Sequence, residues 1–306
     1  MSETERQAAK LVGVEASKSA FNAVCLNENG KITDNLKIAV ESGYEPIAQL
    51  VNFIGQAKNK FGGFEKIGLS LPGLLHRRTK RIAFSTSIPE HEKTGFLSEV
   101  ESAAGVSITA ENDANAAAYA EFTQGAGRDC TDLFYATIGA GIGGAFILNG
   151  ELWEGASGFA GEFGHIALNS EGMRLEEVAS AANIVRRTRA RFHQDSTSSL
   201  NYLVEEKITL GDVIEAARKQ DDFARMMLER TGTYVGAAIA GVINLLNIER
   251  IVVGGEIMQA GSLVLDAMIR RARELSFTPA FKSTQIVAGK LGGDAAAIGA
   301  ALLSVR

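Results

Sequence analysis

The chain has 306 residues, enough for two domains at about 150 residues each. Its 31 Lys and Arg against 36 Asp and Glu leave a net charge of −5, the wrong sign for a dedicated nucleic-acid binder. A hydrophobic fraction of 46% with 22% charged residues excludes general disorder and supplies a sizeable core.

The N-terminal MSETERQAAK is polar and lacks the apolar stretch of a secretion signal. Residues 10–16 and 21–26 are short apolar runs, NENG at 27–30 is a turn, and KITDNLKIAV continues in extended character. A strand meander therefore opens the chain. Ile47, Leu50, Val51 and Ile54 stand at helical spacing within 44–60. FEKIGLSL at 64–71 reads as a strand ending at Pro72-Gly73, 94–104 as a helix, 106–110 as a strand and 114–122 as a helix. The order then restarts. LFYATI at 133–138 is a strand, GAGIGG follows, and AFILNG is a second strand running into the Asn149-Gly150 turn. Helices are expected at 174–192, 210–219 and 222–247, a buried strand at 249–255, a helix at 261–275, a strand at 284–288 and an Ala-rich helix at 293–305. A meander followed by alternating helices and strands thus occurs twice. It points to two similar α/β lobes with a ligand cleft between them and a boundary near 120–130.

Cys25 and Cys130 are too few for a disulfide framework or a cysteine zinc site. Residues 133–150 and 231–248 carry no charge, but the first is a glycine-rich strand pair. The second holds Thr231, Thr233, Asn244 and Asn247, so it reads as a buried helix rather than a membrane span. The expectation is a soluble, cytoplasmic protein with no membrane partner.

Four segments are placed to carry chemistry. Gly139, Gly141 and Gly144 satisfy G-x-G-x-x-G, but a strand and not a helix follows, which rejects the dinucleotide-binding reading. The run is either a hairpin whose bare backbone wraps a phosphate or a tightly packed hairpin without a ligand. Glu111-Asn112-Asp113-Ala114-Asn115 sits where a strand hands over to a helix. By itself it reads as a helix cap, and a carboxylate there can also serve as a general base. Glu162 and His165, set between glycines, are either ligands of a polyhydroxylated molecule or part of a surface loop. Glu176 and Ser180 follow on one face of the expected helix. Gly254-Gly255-Glu256 after the strand IVV suits either a nucleotide edge or a simple strand-to-helix turn.

Taken in order, LPG at 71–73, ENDAN at 111–115, GAGIGG at 139–144, GEFGH at 161–165, LLNIERIVVGG at 245–255 and GGDAAAIGAA at 292–301 resemble the ROK family of sugar kinases and sugar-responsive regulators. The resemblance spans essentially the whole chain. It implies the duplicated two-lobe actin-like ATPase fold, with 1–122 plus 291–306 as the smaller lobe and 123–290 as the larger. It also implies phosphorylation of a hexose or amino sugar at its 6-hydroxyl by ATP with Mg²⁺. Asp113 matches the family's catalytic base, and Asn112, Glu162, His165, Glu176, Gly73 and Ser87 match sugar-binding positions. Ser17, Lys18 and Ser19 fall on the first phosphate loop, Gly139, Ala140, Gly141 and Gly143 on the second, and Gly254 and Gly255 on the adenosine segment. A homodimer is expected from the same resemblance, and nucleic acid is not, because the family's regulators carry an N-terminal winged-helix domain for which no room precedes Lys10.

The departures carry their own expectations. The family's Asp-x-Gly-Gly-Thr phosphate loop is here Glu15-Ala16-Ser17-Lys18-Ser19, so Cβ atoms stand where backbone should approach phosphate. Lys18 is either a point-charge phosphate ligand or a solvated lysine. The family's zinc tract is shortened to NSEGMRLEEVAS without cysteine, so no structural zinc is expected, and Glu176 is left to be positioned by helix packing. Ser87, Ala140 and Glu256 replace the usual Asn, Thr and Gly or Ser. A sugar-binding or sensor protein with impaired turnover is therefore the alternative to an active kinase. Two basic clusters, at 76–81 and at Arg186, Arg187, Arg189 and Arg191, read as solvated faces or as attractors of an anionic partner.

Overall fold

The structure, a computed structural model, describes residues 10–41, 45–76, 78–79, 81–85 and 95–306. The chain divides into two compact units, one of residues up to 128 with 152–160 and 293–306, the other of 129–151 with 161–292. Leu152–Ala160 joins unit 1, although the sequence places it with the second lobe.

In unit 1, strands β1 (Leu11–Ala16), β2 (Ala20–Leu26) and β3 (Ile32–Ala39) form the antiparallel meander. The Asn27 carboxamide closes its second turn by accepting from Asn29 and Lys31 N–H. Helix α1 (Pro46–Phe61) follows, and β4 (Lys66–Leu71) then pairs parallel to β1. β5 (Leu74–Leu75) and β6 (Ile82–Phe84) make a small hairpin, and α2 (Phe96–Ala104) leads to β7 (Ser107–Asn112), parallel to β4. α3 (Asp113–Gln124) starts directly from that strand. The sheet order is β3-β2-β1-β4-β7.

Unit 2 repeats the plan. β8 (Leu133–Ile138), β9 (Ile142–Leu148) and β10 (Glu151–Trp153) form its meander, the last two residues of β10 beginning the stretch that is grouped with unit 1. Asn149 (φ 53°) and Gly150 (φ 77°) make the tight turn that their sequence signals. Helices α4 (Glu176–Ala179), α5 (Ala181–Arg189), α6 (Leu210–Arg218) and α7 (Asp222–Leu246) precede β11 (Arg250–Gly254), which is parallel to β8. α8 (Ser262–Leu275), α9 (Thr278–Ser283) and β12 (Gln285–Ala288) complete the unit in the order β10-β9-β8-β11-β12. Three antiparallel strands followed by two parallel ones thus recur in both sheets.

The C-terminal helix α10 (Ala295–Leu303) returns to unit 1. It lies on the sheet because Gly13 and Gly68 present bare backbone: a Cβ on either would run into the carbonyls of Ala297 and Ala300. Each unit has its own core, Leu50, Phe53, Ile54, Leu69 and Val100 in unit 1 and Phe134, Ile184, Phe192, Ile239 and Met268 in unit 2. Among the described residues no helix is long and apolar enough to cross a membrane, the 25-residue α7 included.

One expected helix is broken. The sequence reads as continuous from 174 to 192, but Ser180 is extended (φ −67°, ψ 156°) and separates α4 from α5. The Ala181 N–H there is turned outward to the Gly139 carbonyl at 2.8 Å, and the Glu176 carbonyl accepts from Ser180 N–H at 3.3 Å and from the Asn183 carboxamide at 3.0 Å. A tertiary bond has displaced a helical one, and Glu176 and Ser180 do not share a continuous helical face.

Candidate functional site

The unit 1 site lies at the C-terminal ends of β1, β4 and β7. Asn112, the last residue of β7, caps α3: its Oδ1 accepts from Ala114 N at 2.9 Å and Asn115 N at 3.1 Å. Its Nδ2 donates to the Gly73 carbonyl at 2.9 Å. The cap expected from the sequence is therefore real, and it anchors Asp113. Asp113 opens the helix and accepts from Ala114 N at 2.8 Å. A negative carboxylate is favoured there by the N-terminal helix dipole.

A polar row crosses the sheet beside it. Lys37, Asn22, Glu15, Ser70 and Glu111 are in register on five adjacent strands. Asn22 and Ser70 are buried, and Glu111 is held by Asn115 Nδ2 at 2.9 Å and Asn112 N at 2.8 Å. Asn22 Nδ2 donates to Asp294 Oδ1 at 2.9 Å, which brings the residue before α10 into the group. Burial pushes the Glu15 carboxyl up to about 7. The charge of Asp113 adds to the rise, Lys37 and a hydrogen bond from Asn22 oppose it, and Asp294 adds a smaller push. Asn22, Lys37 and Asp294 were not singled out in the sequence. For Asn22 and Lys37 the signal was the strand register, Asn22 opposite Glu15 and Lys37 opposite Asn22; Asp294 is brought in only by the return of α10.

The first phosphate-loop segment is a tight turn. Ser17 N–H donates to the Ala20 carbonyl at 3.0 Å, and Ser17 Oγ both donates to that carbonyl and accepts from Ala20 N. Ser17, Lys18 and Ser19 all keep negative φ, so the turn does not need the missing glycines. Their loss costs backbone access, not conformation. Lys18 and Ser19 are exposed at the tip.

In unit 2 the second glycine segment is a three-residue turn between β8 and β9, closed by Gly139 N–H to the Gly141 carbonyl at 2.9 Å. β9 begins at Ile142, so Gly143 and Gly144 belong to the strand, not to the loop. Ala140 and Gly141 are exposed. Gly161 (φ 96°) packs backbone to backbone on Gly144, where either Cβ would collide. That contact sets the 161–165 loop against the hairpin. Its Glu162 Oε2 lies 3.7 Å from His165 Nε2, both side chains about half exposed. Burial raises the proton affinity of Glu162, His165 opposes the shift, and Glu176 adds to it.

Glu176 is engaged by the glycine loop: its Oε2 accepts from Ile142 N–H at 2.7 Å. The shortened 166–175 segment carries it as a small hairpin, bridged at Ala167 and Arg174 and closed by Leu168 N to Met173 O and Leu175 N to Ile166 O. This backbone ladder, in addition to helix packing, positions Glu176. Gly254 and Gly255 are pressed on β8, where side chains would strike the Tyr135 hydroxyl and the Ile138 backbone. A Cβ on Gly139 would lie 3.9 Å from Glu256 N, so the glycine loop and the 254–256 turn are neighbours. Ser87 lies outside the described residues.

The Arg-rich helix is tied into unit 2. Arg186 bonds Asn183 and the Glu177 carbonyl, Arg189 holds the carbonyls of Glu206 and Ile208, and Arg187 donates to Thr231 and lies over the Tyr234 ring. Burial lowers the Arg187 guanidinium to about 10. Arg187 and Arg189 are thus structural ties, while Arg186 and Arg191 are exposed, so the solvated reading holds for only part of the cluster. In the 76–81 cluster, Arg77 and Lys80 lie outside the described residues.

The ROK family model matches residues 11–306. The chain belongs to the ROK family. A glucokinase of Thermotoga maritima is 30% identical over 95% of this ROK chain and 96% of its own length. The crystal structure of a ROK glucokinase from Streptomyces griseus with glucose and AMPPNP superposes with a TM-score of 0.86 at 28% identity, covering 97% of this chain and 99% of that one. A xylose repressor of Bacillus subtilis is 25% identical over 96% of this chain but 76% of its own. The two five-stranded sheets are thus the two halves of the ROK actin-like ATPase fold.

Proposed function

We propose that this chain transfers the γ-phosphate of ATP to a hexose or amino sugar, at the 6-hydroxyl, with Asp113 as general base. The observation that carries the reading is the fixed geometry of Asp113: a half-buried carboxylate at the first position of α3, anchored through the Asn112 cap and the Gly73 carbonyl. In the reaction the sugar hydroxyl gives its proton to an Asp113 oxygen. The freed oxygen bonds to the γ-phosphorus, the bond from that phosphorus to the β,γ-bridging oxygen breaks, and ADP leaves. Glu162, His165 and Glu176 hold the sugar hydroxyls. The 139–141 loop takes phosphate oxygens on backbone N–H groups, with Gly254 and Gly255 beside the adenosine.

Among the described residues no three His, Cys, Asp or Glu side chains converge as a metal cage. Mg²⁺ needs no such cage, because it takes one or two carboxylates plus substrate phosphates. Glu15 fits that role: its raised proton affinity is what a nearby cation would offset. When bound, the cation neutralises phosphate charge as it develops.

A sugar-binding protein with impaired turnover is the second reading. It is favoured by the Ser17–Ala20 turn, whose hydroxyl is committed to closing the loop, and by the likeness to a xylose repressor. The test is coupled ADP release from Mg-ATP against a panel of hexoses and amino sugars. One strongly active sugar supports the kinase. A flat panel with sugar binding intact supports the second reading.

A further inference from the structure

Glu176 faces two ways. One oxygen, Oε2, accepts from Ile142 N–H at 2.7 Å, at the first residue after the glycine loop. Gly141 leaves room for this approach, since a Cβ there would sit 3.0 Å from that oxygen. The other oxygen, Oε1, makes no hydrogen bond among the described residues. Glu176 also raises the proton affinity of Glu162, and a Cβ on Gly164 would lie 3.3 Å from Glu176 Cβ. The residue is thus wedged between the Glu162–His165 loop and the glycine loop. A second bond ties the glycine loop to the start of α5: the Ala181 N–H, at the helix break, donates to the Gly139 carbonyl at 2.8 Å.

We propose that Glu176 is a positioning residue that couples sugar occupancy to the phosphate-binding competence of the 139–141 loop. The inference rests on the kinase reading, which assigns Glu176 to the sugar. A sugar hydroxyl bonded to Oε1 fixes the carboxylate, and the fixed Oε2 holds Ile142 N–H and with it the turn that precedes it. Sugar and nucleotide then bind with positive coupling, and the coupling is reciprocal. The broken helix serves the same end: a continuous 174–192 helix would spend the Ala181 N–H internally and release Gly139.

The experiment measures AMPPNP affinity by calorimetry, with and without each panel sugar, for wild type, Glu176→Ala and Glu176→Gln. Thermal melts confirm that each protein is folded. Wild type is expected to bind AMPPNP about 5-fold or more tightly with its sugar, within the usual range of coupling. Glu176→Ala is expected to bind AMPPNP more weakly and equally with and without sugar. Glu176→Gln keeps an amide oxygen for Ile142 N–H, so its sugar-free affinity returns to the wild-type value. A purely structural role predicts something else: a weakened affinity in Glu176→Ala with the wild-type coupling factor unchanged. That result overturns the proposal, as does a Gln variant as weak as Ala. Should Glu176→Ala not fold, Glu176→Gln decides by whether its coupling factor falls below wild type. A wild-type protein whose AMPPNP affinity no sugar alters also overturns the coupling. ADP release in the same samples separately decides the kinase reading.

Discussion

Replacing Asn112 by Ala tests how the proposed base is held. Asn112 satisfies two orphan N–H groups of α3 and one carbonyl, that of Gly73. Loss of a side-chain cap costs about 1 kcal/mol, and loss of the bond to Gly73 about 1 more. The sum of about 2 kcal/mol corresponds to a fall in Tm of roughly 4–8 °C for a unit of this size. Asp113 is the next residue, so the same change lets the carboxylate drift, and kcat should fall more than the sugar KM rises. Asn112→Asp separates the contributions. It retains the capping oxygen, loses the donor to Gly73, and places a second negative charge beside Asp113. Its stability loss should be about half that of the Ala variant, yet its turnover should fall at least as far, because the new charge raises the proton affinity of Asp113. Scanning calorimetry and ADP release read the two quantities. A melting temperature within about 1 °C of wild type for Asn112→Ala, which is under ~0.5 kcal/mol, would refute the capping argument.

Two other substitutions follow from the geometry. The Glu15 carboxyl is raised from 4.5 to about 7, so between those values the native state binds more protons than the unfolded chain. Stability is therefore fully present below pH 4.5 and lost as pH rises through 7, by on the order of 3 kcal/mol. Glu15→Gln should remove that slope in urea titrations at pH 5 and pH 8; a wild type that is more stable at pH 8 than at pH 5 by this mutant's reference contradicts the assignment. Gly161→Ala forces a side chain into positive φ and onto the Gly144 backbone. It should cost about 3 kcal/mol and raise the sugar KM by moving Glu162 and His165; unchanged sugar kinetics would separate that loop from the site.

Much of this was legible in the chain itself. The meander turns at Asn27–Gly30 and Asn149-Gly150 are local chemistry, and with them the repeated strand order follows. The capping role of Asn112 could be read from its position between an apolar strand and an Ala-rich helix. Other features depend on groups distant in sequence. The break at Ser180 arises from the Gly139 carbonyl, some forty residues earlier, and no periodicity in 174–192 announces it. The Glu15 environment needs Asp113 and Asp294, which only the sheet and the returning α10 assemble. Arg187 and Arg189 look like a solvated basic stripe until Tyr234, Glu206 and Ile208 are in place. Pro279, in the first turn of α9, is a local helix-start signal.

The proposed role of Asp113 is to remove the proton from the sugar hydroxyl. Its most direct measurement is steady-state ADP release by wild type and Asp113→Asn at saturating Mg-ATP and sugar, with sugar affinity measured on both. The expected result is a fall in kcat of about 10²–10⁴-fold, the usual worth of a general base, with sugar affinity retained. An Asp113→Asn protein that turns over at the wild-type rate would contradict it.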